Sequence, residues 1–162
     1  MQYKYSIYKF CFQLKQFNVQ SIYFNCIFVA ILHFMILPIL FIGDTGKKGK
    51  GVFTAEAIPA NTTIEISPVL VLSAADRSIV EATLLNNYIF EWGNNRKKAA
   101  LGLGYVSMYN HHYFSSCEYE MDYDLNTISI KTVRDIAAGE ELTINYNAVH
   151  NDATPVWFKT HD

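Results

Sequence analysis

Three short stretches carry residues whose type and spacing could do chemistry. Gly49-Lys50-Gly51 offers main chain that no Cβ obstructs, so its peptide groups can approach a ligand closely or simply turn the chain. Asn110-His111 supplies an amide and an imidazole, which bind a ligand or satisfy buried backbone groups. The third stretch, Gly139-Glu140-Glu141-Leu142-Thr143-Ile144-Asn145-Tyr146, leads from a turn through an alternating apolar run to a phenol. Glu140 and Glu141 invite a general acid and base reading, but neighbours at the start of a strand face opposite sides, so both are read as structural. Cys11, Cys26 and Cys117 are odd in number and far apart, and no Cys-x-x-Cys or Cys/His cluster at zinc-ligand spacing occurs. Neither a metal site nor a disulfide framework is expected.

These stretches need elements to position them. A chain of 162 residues, 51% hydrophobic and 15% aromatic, can bury one sizeable core and should form one domain. From Met35 on, turn signals punctuate short apolar runs, which predicts a mainly β or β-rich α+β fold. Strands are expected over 39–42, 52–55, 62–66 and 69–72, the last two separated by Pro68. Ser73 should cap a short helix to about Val80, and the second half of 84–92 reads as strand. Between Cys117 and Val133 a hairpin is predicted around Asp124-Leu125-Asn126. Its period-two pattern puts Glu118, Glu120, Asp122 and Asp124 on one face and Tyr119, Met121, Tyr123 and Leu125 on the other. The acidic stripe reads as a solvated sheet face, or alternatively as a surface that gathers a basic substrate.

Charge is unevenly distributed. Met1 to Phe34 carries Lys4, Lys9 and Lys15 and no acid, whereas the remainder holds ten basic and all fifteen acidic residues and stands near −5. Such a domain repels nucleic acid phosphates and attracts a lysine-rich peptide. Residues 1–34 form a separate leader with three readings. Residues 17–36 could be a membrane anchor or signal segment preceded by lysines, although Asn18, Gln20, Asn25 and His33 interrupt the apolar run and Pro38 breaks it. The preferred reading takes Met35 as the natural start.

In this order the three stretches resemble the SET-domain protein lysine methyltransferases, over roughly Leu37 to Phe158. The resemblance implies a SET-domain fold over residues 35–158, of small twisted sheets with a threaded C-terminal pseudoknot, followed by a tail at 159–162. It implies methyl transfer from S-adenosylmethionine to the ε-amine of a lysine in a basic protein or peptide. Gly49, Lys50 and Gly51 match the motif that touches the methionine portion of the cofactor through main chain. Asn110 and His111 match the second cofactor motif, and Tyr146 closes the motif at the methyl-transfer position. Tyr105 either lines the lysine channel or packs in the core, with Tyr88 and Phe90 as further channel walls. The chain lacks the cysteine-rich zinc segment that often follows the domain, so Trp157 or Phe158 is expected to cover the adenine or else to staple the tail. After His111 the sequence departs from the family's Ser-Cys continuation, reading His112-Tyr113-Phe114-Ser115-Ser116-Cys117.

A transfer of this kind needs in-line positioning of a neutral amine more than covalent chemistry. Free lysine has a pKa of ~10.4, so roughly one amine in a thousand is uncharged at neutral pH and an aromatic channel must favour that form. Two alternatives stand beside the cytoplasmic enzyme. One is a degenerate SET domain that only binds peptide or cofactor, and the other is a SET protein anchored in a membrane by its leader.

Overall fold

The computed structural model describes residues 34–156 and residue 158. The expected leader up to His33, Trp157 and the tail at 159–162 lie outside the described residues. The chain makes β1 (Met35–Ile36), β2 (Leu40–Asp44), β3 (Lys50–Thr54), β4 (Thr63–Leu72), α1 (Ala74–Val80) and a 3-10 helix at Leu84–Tyr88. There follow β5 (Ile89–Trp92), β6 (Lys98–Gly102), a 3-10 turn at Val106–Met108, β7 (Asn110–His111), β8 (Cys117–Asp122), β9 (Thr127–Thr132) and β10 (Glu141–Ile144). Hydrogen-bonded neighbours run β2-β3-β10-β8-β9-β4-β6-β5, with β1 on β4 and β7 on β10, so the fold is mainly β as expected. No helix among the described residues is long and apolar enough to cross a membrane.

The core forms where alternation meets a central position. β9 lies between β8 and β4, and its Ile128 and Ile130 are fully buried with Ile64, Leu142, Ile144 and Val106. Each such side chain contributes about 1.5–3 kcal/mol by leaving water. β8 shows the predicted alternation, with Glu118, Glu120 and Asp122 exposed and Tyr119 and Met121 half-buried. Asp124 departs from that stripe because the strand ends at Asp122, whose Oδ1 accepts the amides of Asp124 and Leu125 at 2.9 and 2.8 Å and so builds the turn.

Pro68 does not separate two strands as expected. β4 runs through it and changes partner there, pairing with β9 up to Pro68↔Thr127 and with β6 from Val69↔Gly102. A residue without an N–H costs least at the handover between two ladders. The helix follows its prediction: the Ser73 hydroxyl accepts the Asp76 amide at 3.2 Å and the Asp76 carboxylate accepts the Ser73 amide at 3.3 Å, a capping box. α1 buries no residue, and Arg77 ties it down by donating to the carbonyls of Arg96 and Lys98.

Candidate active site

β10 brings the three chemical stretches together. On one side it pairs antiparallel with β3, Leu142 opposite Val52, and on the other it pairs parallel with β7, Thr143 opposite Asn110 and Ile144 opposite His111. Residues about thirty and ninety positions upstream thus meet the strand that ends just before Tyr146. Its consecutive Leu142, Thr143 and Ile144 are all buried, so β10 is covered on both faces and lies inside the sheet between β3 and β8.

The first half of the site is a cradle at Gly51. Asn110 Nδ2 donates to Glu141 Oε1 at 2.7 Å and to the Lys50 carbonyl at 3.1 Å, which locks the amide between β3 and β10. A Cβ on residue 51 would stand 2.6 Å from Glu141 Oε1 and 2.8 Å from Asn110 Nδ2, so any larger residue there must push these side chains out of place. Thr45 holds the loop from below, its amide and hydroxyl both donating to the Gly49 carbonyl at 2.8 and 3.0 Å. Lys48 reaches over to the His111 carbonyl at 3.4 Å.

His111 and Tyr146 join this cradle to the second half. The His111 ring is buried, and its Nδ1 accepts the Tyr146 amide at 3.1 Å, which puts the proton of the neutral ring on Nε2. That lone pair is committed to the backbone, so the imidazole orients Tyr146 rather than acting as a base. The Tyr146 hydroxyl donates to the Tyr109 carbonyl at 2.9 Å. Burial, with Tyr88 and Glu141 adding to it, pushes the phenol up to about 12, so it stays a proton donor at neutral pH. The Phe158 ring stands 5.9 Å from both His111 and Tyr146. Cys117 offers no nucleophile, since burial pushes its thiol up to about 12.

The second half is a cleft of about 940 Å³ whose walls include Tyr88, Phe90, Tyr119, Tyr109 and Tyr146. Its charged lining holds Glu81, Glu91, Glu120 and Asp152 against Arg77 and Arg96. Both guanidiniums pair with these acids, Arg77 with Glu81 at 2.6 Å and Arg96 with Glu91 at 3.7 Å, so the field that an incoming chain meets is negative. The loop after Tyr146 closes one end, held by Asn145, whose amide donates to the carbonyls of Tyr113 and Asp152 at 3.2 and 2.9 Å.

The SET domain family matches residues 49–147, which run from the first glycine of the cradle to one residue past Tyr146. The chain belongs to the SET-domain family. A histone-lysine N-methyltransferase of Schizosaccharomyces pombe, H3 lysine-37 specific, is 44% identical over 106 residues, covering 65% of this chain and 71% of the relative. A Plasmodium falciparum protein solved as a candidate histone methyltransferase is 27% identical with a TM-score of 0.55, covering 68% of this chain and 95% of that one. The chain is a SET-domain protein lysine methyltransferase, and S-adenosylmethionine is the donor the family uses.

Within the SET domain, Gly49, Lys50, Gly51, Asn110, His111, Tyr146 and Phe158 are linked by the contacts above. Tyr88 and Phe90 line the cleft with Tyr146. Tyr105 is the N-cap of the 3-10 turn at Val106–Met108 and packs against the core, as Phe90 and Tyr146 also do. Trp157 lies outside the described residues. Glu140 is structural as read, paired with Arg134 and accepting the Ala137 amide at 3.0 Å. Sequence reasoning missed Glu141 as the partner of Asn110, and it missed the Tyr109 carbonyl. For Glu141 a signal existed, because its opposite-face placement relative to Glu140 turns it toward β3 and β7. A main-chain oxygen has no residue-type signature.

Proposed function

We propose that this SET domain, over residues 35–158, holds S-adenosylmethionine on the Gly49–Gly51 and Asn110–His111 side and admits the substrate lysine through the cleft to Tyr146. The residues present fit the group: the Lys50 carbonyl, the Glu141 carboxylate and Asn110 Oδ1 are acceptors suited to the cofactor's ammonium, and Gly51, having no Cβ, lets them converge on one point of the main chain. When bound, the cofactor supplies a methyl group made electrophilic by a sulfonium sulfur.

The chain's own residues then do three things. Tyr88, Phe90 and Tyr119 strip water from the lysine stem and favour its neutral amine. Tyr146, protonated and fixed at both its amide and its hydroxyl, orients that amine beside the Tyr109 carbonyl. Phe158 covers the His111 and Tyr146 rings and shields the cofactor side from solvent. The substrate we infer is a lysine in a basic protein, with histone H3 the first to test, because the cleft is negative and the similar fission yeast enzyme is H3-specific.

One observation carries the reading: Tyr146 touches the cofactor-side strand through His111 and at the same time lines the cleft. The test is transfer of labelled methyl from S-adenosylmethionine to H3 and to other basic proteins. Wild type should label lysine, and Tyr146→Phe should lose about 100-fold in kcat, the size of effect that loss of reactant positioning produces, with cofactor affinity retained. Unchanged turnover in Tyr146→Phe would overturn the assignment.

A further inference from the structure

Glu65 is a buried carboxylate that the reaction described above does not use. It lies on β4, has no exposed surface, and faces three donors, Ser67 on the same strand and two from the segment around the 3-10 turn at Val106–Met108. Oε1 accepts the Ser67 hydroxyl at 2.6 Å and the Val106 amide at 2.9 Å, and Oε2 accepts the Tyr109 hydroxyl at 3.0 Å. Val106 opens the 3-10 turn that precedes Asn110, and its Tyr105 N-cap provides no side-chain cap. Glu65 supplies that cap from another strand, and the approach is so close that a Cβ on Gly104 would sit 2.4 Å from Oε1 and 1.9 Å from Ser67 Oγ.

We propose that Glu65 is a positioning residue for methyl transfer, fixing through Tyr109 the carbonyl oxygen that holds the Tyr146 hydroxyl. The inference rests on the role given above to Tyr146. The path is short: carboxylate to the Tyr109 phenol at 3.0 Å, then the Tyr109 carbonyl to the Tyr146 phenol at 2.9 Å. Tyr109 is anchored at both ends of the residue, so its carbonyl has little freedom to move. A fold seeking only stability gains nothing from an isolated carboxylate here, since an apolar residue of similar volume would avoid the desolvation cost. Three convergent donors satisfy the carboxylate fully, and a satisfied polar network specifies one geometry.

The experiment measures kcat, peptide KM, cofactor Kd and Tm for Tyr109→Phe, Glu65→Ala, Glu65→Gln and Tyr146→Phe. Tyr109→Phe keeps the ring and removes only the anchor, and should lower kcat about tenfold or more, as small misplacements at a reacting centre do, with KM and Kd within twofold. Glu65→Ala should lose at least as much, and Glu65→Gln, whose amide can still accept from Val106 and donate to the Tyr109 hydroxyl, should recover most of that loss. If Glu65→Ala does not fold, Tyr109→Phe decides alone. A folded Tyr109→Phe with wild-type kcat, alongside a crippled Tyr146→Phe, would overturn the positioning role of Glu65 and leave the function intact. Wild-type kcat in Tyr146→Phe would instead overturn the reading on which both depend.

Discussion

Replacing Gly51 with alanine tests the cofactor cradle with one methyl group. The added Cβ would stand 2.6 Å from Glu141 Oε1, 2.8 Å from Asn110 Nδ2 and 2.9 Å from Thr45 Cγ2, all short of the 3.4 Å at which ordinary contact begins. Each neighbour must withdraw by about half an ångström or more, and an overpacked site answers by moving side chains off their preferred rotamers. The contact most exposed to that movement is the Asn110–Glu141 hydrogen bond at 2.7 Å. A hydrogen bond to a charged group contributes about 1.5–3 kcal/mol, which corresponds to about 10- to 150-fold in affinity if the cofactor depends on that geometry. The backbone at Gly51 pairs as regular strand, opposite Gly43, so alanine there adds no backbone strain, and the stability it costs is that of the displaced Asn110–Glu141 contact, up to about 1.5–3 kcal/mol. Isothermal titration with S-adenosylmethionine, run well below the melting temperature of the variant, should therefore show Kd raised by that factor, while the free protein stays folded and melts lower by roughly 5–10 °C. A Gly51→Ala protein with wild-type affinity would refute the placement of the cofactor against this cradle.

Three further outcomes follow from the same geometry. Glu120 lines the cleft, so Glu120→Lys should raise the KM for a basic peptide several-fold at low salt, with kcat at saturation unchanged and the effect fading at high ionic strength; a salt-independent change would argue against electrostatic capture. Phe158→Ala removes the ring beside His111 and Tyr146 and should weaken cofactor binding by titration much more than it lowers the melting temperature. Burial raises the Glu65 pKa above its ordinary 4.5, against the lowering effect of its hydrogen bonds to Ser67, Tyr109 and Val106. The native state therefore holds that proton more tightly than the unfolded chain, and the contribution, present in full below about 4.5, is lost as pH rises through the raised value. Thermal melts should accordingly show the stability of wild type relative to Glu65→Gln declining from pH 4 to pH 7; a constant difference would contradict the shift.

Much of the site was legible in the sequence because its motifs are local. The Gly-x-Gly bend, the Asn-His pair and the terminal tyrosine each sit in one short stretch, and their order carried the family. The β8–β9 hairpin was equally clear, since five alternating residues state their own period. What stayed hidden depends on register and partner choice. Pro68 looked like a break, yet β4 passes through it by changing neighbours, which no local pattern encodes. Thr63, Glu65 and Ser67 recur at period two and resemble a solvated face, but the segment from Gly104 to Tyr109 covers Glu65 and Ser67. The role of Glu141 appears only when β10 is set between β3 and β7.

A crystal structure with S-adenosylhomocysteine and a lysine peptide would test the central claim most directly. The account predicts the sulfur beside the Gly51 main chain and Asn110, and the lysine amine in the cleft within hydrogen-bond reach of the Tyr146 hydroxyl or the Tyr109 carbonyl. A sulfur held elsewhere, or an amine that approaches away from Tyr146, would contradict it.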